Sequence, residues 1–77
     1  MRIKQDQNIG RNIRDLRIQN GMTQEQVVAK LQLAGCDLSR SIYSQIEAGT
    51  YNIRVSELAA LKAIFGAEYA DFFQGIL

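Results

Sequence analysis

Two helix-start signals lie sixteen residues apart in this chain, and they constrain its fold more than any other feature. Thr23-Gln24-Glu25-Gln26 is a capping-box pattern, in which the Thr hydroxyl and the Gln26 side chain satisfy orphan amides of the first helical turn. Ser39, ahead of Arg40-Ser41-Ile42, is a second N-cap. Each start leads into apolar residues at helical spacing and then into a glycine, Gly35 or Gly49, suited to end a helix. Cys36-Asp37 forms the turn between them.

The same periodicity predicts three more helices. One runs from about Asn8 to Asn20 and stops at Gly21. Ile9, Ile13 and Leu16 fall on its inner arc, Arg11, Arg14 and Ile18 point away, and Arg17 lies at the rim. Val27, Val28 and Leu31 form the apolar side of the next helix, with Leu33 or Ala34 extending it by a turn. After the polar loop Thr50–Asn52, a largely apolar helix is expected over about Ile53 to Phe65. It has Val55, Leu58, Leu61 and Phe65 on one side and Ala60 and Ile64 on another. A short helix, about Glu68 to Gln74, carries Tyr69, Phe72 and Phe73. Proline is absent and β-branched runs are short. The expectation is one compact all-α domain of five helices spanning residues 1–77.

Composition narrows the function. With 77 residues, no histidine and one cysteine, Cys36, the chain has no intrachain disulfide and no metal-ligand spacing. It also has no ordinary acid–base group near neutral pH. No nucleophile has a neighbouring base and no Gly-rich loop cradles phosphate, so no enzyme, metal or cofactor is expected. MRIKQDQN lacks the apolar stretch of a signal peptide, and no run approaches the roughly 20 apolar residues of a membrane span. A cytoplasmic protein is expected. Charge is polarised: residues 1–54 carry a balance of +3 and residues 55–77 of −2, giving +1 in all. Five of the nine basic residues (Arg2, Lys4, Arg11, Arg14, Arg17) lie in the first seventeen, a distribution that favours an anion at one end.

The helix that follows Ser39 carries the sharpest signal. On a wheel of about 100° per residue, Arg40, Ser44, Ser41 and Gln45 form one face, and Ile42, Ile46 and Tyr43 form the other. The outer face holds no acid; Glu47 sits beside the apolar arc. Short side chains permit close approach to a DNA groove, and Arg or Gln can form paired bonds to G or A. A capped helix, a turn and a second capped helix within about residues 23–48 is a helix-turn-helix arrangement. Thr23 and Gln24, at the start of its first helix, suit the phosphate backbone.

"IGRNIRDLRIQNGMTQEQVVAKL", "LSRSIYSQIEAGTYNI" and "SELAALKAIFG" together resemble the phage repressor/Cro-type (XRE) helix-turn-helix family over roughly residues 9–73. The resemblance implies a five-helix repressor-like domain, commonly a homodimer on a near-palindromic operator of double-stranded DNA. It implies base contacts from Arg40, Ser41 and Gln45. Phosphate contacts are implied from Thr23, Gln24, Ser39, Ser44 and the loop Thr50, Tyr51 and Asn52. It also implies a structural ion pair between Arg17 and Glu47. Three positions depart from the family pattern. Seven residues separate Leu31 from Ser39 where two are usual, with Leu33 or Leu38 filling the extra space. Val28 stands where a small residue is usual, and Lys62 where alanine is usual, its amine snorkelling to solvent.

The function expected is a sequence-specific transcriptional regulator, acting as a repressor. The alternative is a protein–protein module, such as an antitoxin or a regulator of another regulator. Tyr43 reads as core, Cys36 as an incidental turn residue, and Arg11 and Arg14 as either DNA-steering or solvated. Ile18 and the tail Phe72–Leu77 are either dimer contacts or cover for the domain itself.

Overall fold

Five helices pack around one apolar cluster in the computed structural model, which describes residues 5–76, with side chains from Ile9 onward. Arg2, Lys4 and Leu77, named above, lie outside the described residues. The elements are α1 (Gln5–Gln19), α2 (Gln24–Leu33), α3 (Arg40–Ala48), α4 (Val55–Phe65) and α5 (Tyr69–Phe72). Among the described residues there is no strand. α1 packs on α3 and α5, and α2 packs on α3 and α4, so α3 is held from two sides.

The expected starts of α2 and α3 are reproduced atom for atom. Thr23 Oγ1 accepts from Gln26 N at 3.1 Å while Gln26 Oε1 accepts from Thr23 N at 2.8 Å. Ser39 Oγ accepts from Ile42 N at 3.1 Å. α3 ends on Gly49 at φ +80°, a left-handed conformation that a side chain would strain. The core is Ile13, Val27, Val28, Leu31, Leu38, Tyr43, Ile46, Leu61, Phe65, Ala67 and Phe72.

Several boundaries differ from the sequence reading. α1 begins three residues earlier, at Gln5. α4 begins two residues later, at Val55, because Glu57 Oε1 caps the amide of Arg54 at 2.8 Å. That start leaves Val55 84% exposed, outside the apolar side assigned to it. α5 is only four residues long. The long connection before α3 is filled by Leu38, which is buried, whereas Leu33 is 89% exposed. Cys36 N donates to Leu31 O at 2.8 Å and Gln32 Nε2 to Leu38 O at 3.3 Å, folding the extra residues back over the end of α2. Val28 is buried in the core, and α2 packs on both α3 and α4. Lys62 is half-buried and its Nζ lies 5.3 Å from the Tyr69 ring centroid, a cation–π contact. Phe72 is fully buried in the chain's own core, which removes it from any intermolecular role.

Candidate nucleic-acid interface

The outer face of α3 is built by the contrast between its two sides. Tyr43 and Ile46 are buried and Ile42 is half-buried, so the helix has one rotational setting. That setting leaves Arg40, Ser41, Ser44 and Gln45 exposed. Together with Gln24 from the first turn of α2, these four line an open hollow of about 420 Å³. All five carry donors suited to base edges or phosphates, and none is acidic. Thr23 and Ser39 flank the face; each hydroxyl accepts a capping amide and keeps its own O–H free to donate.

The structure does not bring the loop Thr50–Asn52 into this hollow. Thr50 and Asn52 are exposed beyond the end of α3. The Tyr51 hydroxyl donates to Glu57 Oε2 at 3.2 Å and lines a second hollow with Cys36, Arg54 and Ser56. Desolvation first, then the Glu57 carboxylate, hold the Tyr51 phenol above its usual range.

Behind the face lies a polar cluster that fixes α3. Arg17 Nε donates to Glu47 Oε2 at 2.7 Å and Arg17 Nη2 to Glu47 Oε1 at 3.1 Å, a two-point ion pair with side chains 14% and 5% exposed. Gln24 Nε2 donates to Glu47 Oε1 at 3.0 Å, and Arg17 Nη1 to Met22 O at 3.0 Å. One carboxylate therefore ties the last turn of α3 to α1 and to the start of α2. Burial works to raise the Glu47 carboxyl. Hydrogen bonds from Arg17 and Gln24, the adjacent Tyr43 phenol and the charge of Arg17 outweigh it and hold the group below the usual glutamate value. The hydrogen bond to Glu47 likewise raises Arg17. Tyr43 Oη is buried beside the pair without a well-aligned hydrogen bond, and desolvation pushes its phenol far up.

The bond to Glu47 also orients Gln24. Only the NH2 end of an amide can donate to a carboxylate, so Gln24 Oε1 and one remaining N–H are left for other partners. The Gln24 side chain can meet a phosphate only through that remaining hydrogen.

Three contributors were not foreseen from sequence. Gly10 is buried where α1 crosses α3; a Cβ there would lie 2.5 Å from Ile46 O and 2.6 Å from Glu47 O. Asn12 Nδ2 donates to Phe72 O at 2.8 Å and Gln74 O at 2.9 Å, anchoring the C-terminal segment on α1. Glu57, 5% exposed, joins the loop after α3 to the start of α4. Of these, only Glu57 left a signal in the sequence, as the third residue of a helix that begins at Val55.

A model of the helix-turn-helix domain family matches residues 10–77, nearly the whole chain. The chain belongs to that family. No curated protein and no solved structure matches it significantly. A helix-turn-helix domain points to a DNA-binding regulator and is typically not catalytic. Among the described residues of this helix-turn-helix domain no helix is long and apolar enough to cross a membrane, and no group of three potential metal ligands assembles.

Proposed function

We propose that this chain is a cytoplasmic, sequence-specific transcriptional repressor of the phage repressor/Cro type that grips a near-palindromic operator as a homodimer. The observation that carries this reading is the acid-free face of α3, exposed as a unit and held rigidly from behind. Arg40, Ser41 and Gln45 read base edges in the major groove. Thr23, Gln24, Ser39 and Ser44 hold the phosphate backbone, with Thr50, Tyr51 and Asn52 following at the end of α3. The dimer rests on Ile18 and Phe73, which stay 53% and 39% exposed. Two linked half-sites turn a weak single grip into a strong one.

An electrophoretic shift against the DNA upstream of the chain's own gene tests this. Wild type binds that DNA in preference to random DNA, and an Arg40→Ala/Gln45→Ala variant loses the preference. Equal binding of both proteins to both DNAs would remove specific readout by this face.

One observation favours a second role, engagement of a protein such as a toxin or another regulator. Leu33, Ala34, Ala63 and Ile64, with Lys30, line an apolar hollow away from α3, and Leu33 is 89% exposed. Co-purification with the product of a neighbouring gene, abolished by Leu33→Glu, would support it. Retention of the complex by that variant would place the contact elsewhere.

A further inference from the structure

The two long side chains on α3 sit at the two edges of its exposed face, and that placement carries information about the DNA. At about 100° per residue, Arg40 and Gln45 stand about 140° apart, with the short Ser41 and Ser44 between them. A helix whose midline carries only serines can approach a groove floor closely. Its two edges then face the base edges of opposite strands. Arg pairs through two hydrogen bonds with guanine O6 and N7, and Gln with adenine N6 and N7. Both are purine edges, so each edge of the helix reads the purine on its own side. Along the axis the two residues are five apart, a rise of about 7.5 Å, which is about two base-pair steps of roughly 3.4 Å.

Resting on the reading above, we infer that each half-site holds a G·C pair and an A·T pair about two steps apart, with the guanine and the adenine on opposite strands. Neither side chain is otherwise engaged: among the described residues neither Arg40 nor Gln45 makes a side-chain hydrogen bond or ion pair. Each is exposed, so truncation leaves the fold intact, which a melting curve verifies.

The test is selection of duplexes from a randomised library by the wild-type protein, Arg40→Ala and Gln45→Ala. The wild type should enrich the G·C and A·T pairs in the stated arrangement. Arg40→Ala should lose discrimination at the guanine alone, and Gln45→Ala at the adenine alone, each by about 5- to 150-fold. A defined consensus without this pair, or with both purines on one strand, overturns the inference and leaves specific DNA binding standing. So does a consensus that neither substitution alters at a single position. No enrichment by the wild type overturns the inference and the repressor reading together.

Discussion

Glu47 is the residue on which the setting of α3 turns, and its chemistry makes the dependence measurable. Its carboxyl is held below the usual glutamate value of 4.5. A depressed folded-state value stabilises the fold above the unfolded-state value, and that contribution is lost as pH falls through the folded-state value. Glu47→Gln should therefore cost about 2–3 kcal/mol at pH 7, since Arg17 keeps one acceptor but loses its counter-charge in a largely buried site. Denaturant titrations from pH 7 to pH 3 should show the gap between variant and wild type narrowing below about pH 4.5. A constant gap would mean that charge contributes nothing there. Gly10 is the steric counterpart. Alanine gains about 1 kcal/mol of helix propensity over glycine, but a Cβ 2.5 Å from the Ile46 carbonyl forces α1 and α3 apart. The clash wins, and Gly10→Ala should lower the melting temperature by about 5–15 °C, for a net cost of about 1–2 kcal/mol.

At the scale of elements, the unusual feature is the connection between α2 and α3, and Leu38 stabilises it. Leu38→Ala should cost about 2–4 kcal/mol in a chemical unfolding curve. Leu33→Ala, at an 89% exposed position, should change stability by less than about 0.5 kcal/mol. Equal effects would mean that the turn packs differently. This contrast also marks how far sequence reading reaches. The caps of α2 and α3, the inner arc of α1 and the two faces of α3 were legible, because capping chemistry and helical period are local. Which of two leucines fills an irregular turn was not, since it depends on where the chain travels after Gly35. The exposure of Val55 follows from the start of α4, which Glu57 sets by capping the Arg54 amide while Tyr51 of the preceding loop donates to the same carboxylate. Gly10 and Asn12 act across helices far apart in sequence, and neither has a local signature. On the outer face of α3, the four exposed residues were legible, whereas the bond of Gln24 to Glu47 was not.

For the whole molecule, a net charge of +1 sets the kind of DNA binding to expect. Affinity should fall with salt by about 0.9 log units per phosphate contact for each tenfold change in concentration. With few cations at the face, a shallow log–log slope is predicted, and one near about −10 would signal a heavily ionic mode that this surface cannot supply. In the function we propose, α3 enters the major groove with Arg40 at a guanine. Dimethyl sulfate methylates guanine N7 in the major groove and adenine N3 in the minor groove, so a methylation-protection footprint on the bound operator separates the two. Protection of a guanine N7 within each half-site by wild type, lost with Arg40→Ala, is the result predicted. Specific binding that protects only adenine N3, or leaves every guanine N7 reactive, would contradict it.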